Sequence, residues 1–147
     1  MEAFVREIEE KDYLALLPLW NNELGSHVVT ADNIARHYDR VKNNEYYKTF
    51  VAVAGDEVVG FISSVRILAV GFEGCAMQII GIAVKKEHHN KGIGTKLMRE
   101  MESFARDKGV YNIGLNSGVK RTDAHAFYKR CGYATGGNLN FGKMLQP

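Results

Sequence analysis

The chain has 147 residues, of which 46% are hydrophobic, and it carries a formal net charge of +2 at pH 7. That length and apolar content suffice for one substantial core, so we expect a single domain over residues 1–147. The weak charge and the lack of any long basic run exclude a typical nucleic-acid binder.

The ends and the cysteines indicate a reduced, soluble environment. The stretch MEAFVREIEEKDY has no apolar core of a signal peptide, and no run approaches the ~20 apolar residues of a membrane span. Cys75 and Cys131 lie far apart without CxxC spacing, which argues against a disulfide framework or a zinc site. We therefore expect a cytoplasmic protein without metal or membrane contact.

The first half of the chain predicts a strand, two helices and a hairpin. Residues 4–8 form the strand, and EKDYLALLPLW has helical spacing that Pro18 should disturb. Thr30 is a good N-cap for the helix in TADNIARHYDRV. Residues 50–54 and 58–65, joined by GDE, predict the two arms of a hairpin.

The second half predicts a strand–helix–strand unit. Residues 76–84 (AMQIIGIAV) are almost wholly apolar, which is typical of a central strand covered on both faces. A helix follows over about 93–108, and Gly109 is placed to end it. YNIGLNS predicts another strand, DAHAFYKR a short helix, and YATGGNLNFGKML a turn and a final strand. A meander followed by strand–helix–strand predicts a mixed α/β (α+β) sheet.

Two glycines open the long helix in AVKKEHHNKGIGTKL. The first N–H groups of a helix lack intrahelical partners, and the missing Cβ atoms of Gly92 and Gly94 let a phosphate approach them. Lys91 and Lys96 flank the turn and could add positive charge. A tight turn alone also explains the glycines. Two familiar phosphate motifs fail here, because Leu97 replaces a third glycine and the order is Gly-Thr-Lys rather than Gly-Lys-Thr.

A third pattern fits better. IIGIAVKKEHHNKGIGTKLM resembles the acyl-CoA signature of the GNAT superfamily of N-acyltransferases, in which a strand ending in Val leads into Arg/Gln-x-x-Gly-x-Gly/Ala and a helix. His89 takes the Arg/Gln place. Downstream, KRTDAHAFYKRCGY resembles the last helix of that family through Ala124, Tyr128, Gly132 and Tyr133. The resemblance implies a GNAT-like fold, with a largely antiparallel sheet splayed at an acyl-CoA cleft and flanked by about four helices.

The resemblance also implies a reaction. Acetyl-CoA would donate an acetyl group to a primary amine of an unidentified acceptor, either a small molecule or a protein or peptide. A backbone N–H at Ile82 or Ala83 would stabilise the oxyanion, and Tyr128 would protonate the departing thiolate, although Tyr128 also fits a core position. The donor-binding residues that the resemblance implies are Ile82, Ala83, Val84, His89, Asn90, Lys91, Gly92, Ile93, Gly94 and Thr95.

The chain departs from the family where many relatives carry a catalytic Glu. Residues 78–81 read QIIG and contain no carboxylate. The general base is therefore open among water, Glu73, Glu23, His27 and His125, and an acceptor amine with a low enough pKa would need no base. Trp20, Glu23 and His27 are the candidate acceptor-binding residues. The missing carboxylate keeps a second hypothesis open, a non-catalytic acyl-CoA sensor or regulatory module of the same fold. A homodimer is possible.

Overall fold

The computed structural model describes residues 2–71, 73–137 and 139–146. It divides into two compact units, Met1–Asn116 and Ser117–Pro147, which are described separately. Within the described residues, the first unit contains the sheet, three longer helical segments and a 3-10 turn, and the second contains one helix and the C-terminal residues.

The first unit is built on a mixed five-stranded sheet. Its strands follow one another in chain order across the sheet, and β1 to β4 pair antiparallel. β4 and β5 pair parallel. The helix between them carries the chain back to the end of the sheet at which β4 begins, so both strands run in the same direction. This order confirms the predicted meander and strand–helix–strand unit. The bounds are β1 Phe4–Glu7, β2 Tyr47–Ala54, β3 Glu57–Ile67, β4 Cys75–Val84 and β5 Val110–Leu115.

The first helical segment, α1, changes geometry twice. It begins as a 3-10 helix at Glu10–Ala15, continues as one α-helical turn at Leu16–Pro18 and ends as a π-helical turn at Leu19–Glu23. Pro18 has no N–H, and its ring clashes with the carbonyl one turn back, so a regular helix cannot pass through it. The predicted disturbance at Pro18 is confirmed.

The remaining helices are regular. α2 spans Ala31–Val41, and the Thr30 hydroxyl accepts the Asn33 N–H at 3.1 Å, which confirms the predicted N-cap. α3 spans Ile93–Asp107 in the first unit, and α4 spans Thr122–Arg130 in the second.

The strand that is covered on both faces is β3, not β4. Residues 58–64 of β3 are buried, whereas Ile80 of β4 is 44% exposed. β3 lies in the middle of the sheet, with α3 on one face and α1 and α2 on the other. β4 lies next to the edge strand, so the prediction of a doubly covered β4 is wrong. The apolar sequence of β4 fits both a strand in the middle of the sheet and a strand next to its edge, so it could not distinguish the two positions.

The predicted C-terminal strand is also not found among the described residues of this stretch. Residues 131–137 and 139–146 contain no strand, and Asn138 lies outside the described residues. The alternating apolar side chains of this stretch are largely exposed, including Leu139 and Phe141 at 81% and 88%. A strand requires a partner for its backbone groups, and the ladder of this chain ends at β5.

Candidate active site

β4 and β5 separate in the middle of β4. Their parallel pairing runs from Cys75 with Val110 to Ile79 with Leu115, and β4 then continues through residues 80–84 beside β3 alone. A β-bulge marks the point of separation, because Ser63 pairs with Gly81, Ser64 pairs with Ile79, and Ile80 is the extra residue. Bulges bend the strand that carries them. The sheet is therefore splayed as predicted.

The backbone of β4 beyond the bulge offers hydrogen-bonding groups on the splayed side. Lys85 N–H donates to the Val59 carbonyl at 2.8 Å, so Lys85 faces β3. The backbone N–H and C=O groups of successive residues in an antiparallel strand point to opposite sides. The backbone groups of Ala83 therefore also point toward β3, while the N–H and C=O groups of Ile82 and Val84 point away from it. Of the two predicted oxyanion donors, Ile82 has the orientation for that role.

The loop after β4 leads directly into α3. It contains a 3-10 turn at Lys86–His88 and two left-handed residues, Asn90 with φ 63° and Gly92 with φ 79°. An added Cβ at Gly92 would meet nothing within 4 Å, so the left-handed backbone rather than lack of space requires glycine there.

Gly92 is also the N-cap of α3 and provides no side chain to cap it. The first helical hydrogen bond runs from Lys96 N–H to the Gly92 carbonyl at 3.0 Å. The N–H groups of Ile93, Gly94 and Thr95 thus lack intrahelical partners and lie at the positive end of a 15-residue helix. Such a helix end favours an anionic group.

The two lysines that flank this turn differ. Lys91 is exposed. The Lys96 ammonium instead donates to the Ala3 carbonyl at 3.0 Å and to Glu2 Oε1 at 3.1 Å. Lys96 therefore connects α3 to the N-terminal residues. Of the two lysines, Lys91 is the one whose side chain is exposed beside the turn.

His89 joins the loop to two other elements. Its Nε2 lies 2.7 Å from the Val84 carbonyl oxygen and 3.6 Å from Glu23 Oε1. A carbonyl only accepts, so Nε2 carries a hydrogen in this arrangement. Glu23 ends α1, and the contact therefore links α1, the end of β4 and the loop.

The predicted acceptor residues separate into two groups. Trp20 lies against β4, because a Cβ added at Gly81 would be 2.7 Å from Trp20 Cη2, and Glu23 lies beside His89. His27 is exposed and has a left-handed backbone with φ 60°. The structure brings Trp20 and Glu23 to β4 and its loop.

The candidate bases are also spread over the chain. Glu73 precedes Cys75, and the seven residue-to-residue steps from Cys75 to Ile82 extend about 23 Å along β4. Glu73 is therefore too far from Ile82 to act there. In the second unit, His125 Nε2 lies 2.8 Å from the Gly118 carbonyl.

Tyr128 lies on α4 in the second unit. It is half-buried, its ring packs edge-on against Phe127 at 5.5 Å, and its carbonyl accepts the Tyr133 N–H at 2.9 Å. Burial raises the pKa of Tyr128 above its ordinary value of 10.0, and the nearby Arg121 opposes that rise. The hydroxyl therefore keeps its proton at neutral pH.

One group of contacts beside Trp20 has no clear signal in the sequence. Tyr38, Ser63 and Thr49 form a buried hydrogen-bonded chain that begins at the Trp20 indole. These residues are distant in sequence, and no spacing signals their contact. Gly81 is a partial signal, because glycine inside a strand often marks a close approach by another group.

Two negative observations concern the described residues alone. Within 2–71, 73–137 and 139–146, no three His, Cys, Asp or Glu side chains are grouped so that they could hold a metal ion. In the same part of the chain, no helix is both long enough and apolar enough to cross a membrane.

Comparison with known proteins defines the class. The acetyltransferase (GNAT) family model matches residues 5–133, and the chain belongs to this family. Human N-acetyltransferase 8 is 28% identical over 92 residues, which are 63% of this chain and 40% of the human protein. The chain spans less than two thirds of the length of such relatives.

Solved structures agree on the fold. An aminoglycoside acetyltransferase from an uncultured soil metagenomic sample, in complex with trehalose, superposes with a TM-score of 0.86 at 20% identity and covers 98% of this chain and 97% of its own. AAC(6')-Iy, in complex with the bisubstrate analogue CoA-S-monomethyl-acetylneamine, gives 0.83 at 14% identity, with 98% and 99% covered. At these identities the likeness establishes the GNAT fold.

Proposed function

We propose that the protein is an acetyl-CoA-dependent N-acetyltransferase that acetylates a primary amine. The observation that carries the proposal is the splayed end of β4, which is followed by the loop to the uncapped N-terminus of α3. Its outward groups are the N–H and C=O of Ile82 and the N–H of Val84, since His89 is hydrogen-bonded to the Val84 carbonyl. Membership of the acetyltransferase family and the N-acetyltransferase names of relatives support the proposal.

The residues present fit acetyl-CoA. An uncapped helix N-terminus with a side-chain-free N-cap suits a pyrophosphate, and outward N–H and C=O groups on a strand suit the amides of pantetheine. When bound, acetyl-CoA supplies an activated thioester carbonyl. The residues proposed to hold it are Ile82, Ala83, Val84, His89, Asn90, Lys91, Gly92, Ile93, Gly94 and Thr95.

Two groups of this chain have proposed chemical roles. The Ile82 N–H would donate to the thioester oxygen as negative charge develops there. Tyr128 would give its proton to the sulfur of the leaving group, because a tyrosine with a raised pKa holds that proton at neutral pH. The Tyr128 role rests on the family resemblance of α4 and on this environment.

The acceptor is proposed as an amine that Trp20 and Glu23 contact, with His27 as a further candidate. Glu23 is a carboxylate that is 25% exposed, and it can pair with an ammonium. Both a small-molecule amine and a peptide or protein amine satisfy this chemistry. A cytoplasmic location and a homodimer stay predictions.

A second candidate is a CoA-binding sensor without catalysis. The observation that favours it is β4 itself, because CAMQIIGIAV contains no carboxylate to serve as general base. Incubation with acetyl-CoA and a panel of amines, with free thiol as the readout, separates the two. Amine-dependent thiol release supports the enzyme. Acetyl-CoA binding without release supports the sensor, and absence of CoA binding refutes both.

A further inference from the structure

The indole of Trp20 lies on β4 next to the proposed oxyanion donor. A Cβ on Gly81 would be 2.7 Å from Cη2 and 3.2 Å from Cζ3 of Trp20, so any larger residue would displace the ring. With a Cα–Cβ bond of about 1.5 Å and 3.8 Å between successive Cα atoms, Cη2 lies at most about 8 Å from the Cα of Ile82. Trp20 therefore lies within about 8 Å of the residue whose N–H is proposed to receive the thioester oxygen.

A buried chain of hydroxyl groups sets the position of this ring. Trp20 Nε1 donates to the Tyr38 hydroxyl at 3.3 Å, and an indole nitrogen can only donate. The Tyr38 hydroxyl is hydrogen-bonded to Ser63 Oγ at 3.2 Å, and Ser63 Oγ is hydrogen-bonded to Thr49 Oγ1 at 2.8 Å; in each of these two pairs either oxygen can donate. Tyr38, Ser63 and Thr49 are 3%, 6% and 7% exposed, so each of these hydrogen bonds is costly to break.

Packing holds the ring from the other sides. The Phe61 ring centroid lies 5.1 Å from that of Trp20, and Tyr13 stacks on Tyr38 at 5.5 Å. Phe61 is fully buried in β3. The indole is thus fixed by a hydrogen bond at its nitrogen, by Phe61 and by the bare backbone of Gly81.

We infer that Trp20 limits the size of the acyl group that the cleft accepts, and that Tyr38 is the positioning residue that holds the indole against Gly81. This inference rests on the proposed acetyl-CoA-dependent function. A fixed wall beside Ile82 leaves room for an acetyl methyl group, whereas a butyryl chain must displace the ring. The protein therefore discriminates between short and longer acyl groups through Trp20 of α1.

The test compares the dissociation constants of acetyl-CoA and butyryl-CoA by calorimetry. The wild-type protein is expected to bind acetyl-CoA at least about tenfold more tightly, since one excess methylene already costs about tenfold in a closed apolar site. Trp20→Ala should reduce that ratio to about threefold or less while acetyl-CoA affinity is retained. Tyr38→Phe should give an intermediate ratio, because the Trp20 indole remains but its N–H loses the Tyr38 hydroxyl as acceptor.

A second readout uses fluorescence, because Trp20 is the single tryptophan of the chain. Tyr38→Phe should shift the emission of Trp20 without unfolding the protein. Addition of acetyl-CoA should quench the emission of Trp20, also without unfolding. Tyr13→Phe is the matched control, since it removes the hydroxyl of a neighbouring buried tyrosine and should leave both the emission and the acyl-CoA ratio unchanged. If Trp20→Ala is unstable, Trp20→Phe replaces it.

The outcomes are distinguishable. Tight acetyl-CoA binding with the same acyl-CoA ratio in wild type, the Trp20 variant and Tyr38→Phe overturns this inference and leaves the proposed function intact. Absence of any CoA binding by the folded wild-type protein overturns the proposed function and this inference together.

Discussion

His89 Nε2 lies 2.7 Å from the carbonyl oxygen of Val84, so the imidazole folds back onto the last residue of the strand that precedes its loop. His89 occupies the place where the family pattern has Arg or Gln. The same nitrogen is 3.6 Å from Glu23 at the end of α1. A single side chain thus holds the start of the proposed phosphate loop to both β4 and α1.

The first prediction concerns this contact. His89→Ala should weaken acetyl-CoA binding by about fivefold, because it removes a hydrogen bond worth about 1 kcal/mol that orders the loop. His89→Gln retains a side-chain N–H donor and should stay within about threefold of wild type. Calorimetry on both variants measures this. Equal affinity of His89→Ala and wild type would mean that the loop is ordered without His89.

The second prediction concerns the start of α3. Gly94→Val should weaken CoA binding while the fold remains intact, because a branched side chain would crowd the N–H groups proposed to hold the pyrophosphate. Thermal-shift titration with CoA measures the effect. Gly71→Val is the control, since an added Cβ there meets nothing within 4 Å. Unchanged CoA affinity in folded Gly94→Val would leave the glycines with a structural role alone.

The third prediction concerns Tyr128. Tyr128→Phe keeps the ring and its packing against Phe127 but removes the hydroxyl. It should lower kcat about a hundredfold and change CoA affinity only a few-fold, because general-acid assistance is worth about 10²–10⁴ and a thiolate is already a fair leaving group. Steady-state kinetics at saturating donor measure both. A turnover equal to wild type would identify Tyr128 as a packing residue.

The fourth prediction follows from the same group and concerns pH. Burial raises the pKa of Tyr128 above its ordinary value of 10.0, so its hydroxyl stays protonated throughout the neutral range. If Tyr128 is the acid, kcat should therefore show no loss attributable to it across the neutral range. A kcat–pH profile of wild type and Tyr128→Phe checks this, and a descending limb near pH 8 that disappears in the variant would contradict it.

The fifth prediction concerns the link between β1 and α1. Asp12 is 3% exposed, accepts two hydrogen bonds from Arg6 at 2.7 and 3.0 Å, and accepts the Glu9 N–H at 2.8 Å. Burial alone would raise the pKa of Asp12, but these hydrogen bonds and the Arg6 charge lower it overall from 3.8. The carboxylate therefore stabilises the fold above pH 3.8, and this stabilisation is lost as the pH falls through the lowered pKa.

Asp12→Asn should accordingly lower the free energy of unfolding by about 2 to 3 kcal/mol at pH 7, and the difference from wild type should shrink below about pH 4. Urea unfolding at several pH values measures it. Asp32→Asn, which breaks a highly exposed pair with Arg36, is the control and should cost less than about 0.5 kcal/mol. A deficit in Asp12→Asn that does not depend on pH would contradict the charge-based account.

Local patterns in the sequence were sufficient for the order of elements from β1 to α4 and for the loop that follows Val84. The Thr30 cap, the break at Pro18 and the entry into α3 at Gly92 depend on residues that are near in sequence, so their chemistry can be read directly. The family membership followed from the same local spacing, which the match over residues 5–133 bears out.

Tertiary structure alone decided the remaining features. It placed β3 rather than β4 at the buried centre of the sheet, turned Lys96 toward Ala3, and brought the Trp20 indole against Gly81 under the control of Tyr38. Each of these contacts joins residues 18 to 93 positions apart. Periodicity reports which face of an element is apolar, but the partner of that face depends on how all the elements pack together, and no local pattern encodes it.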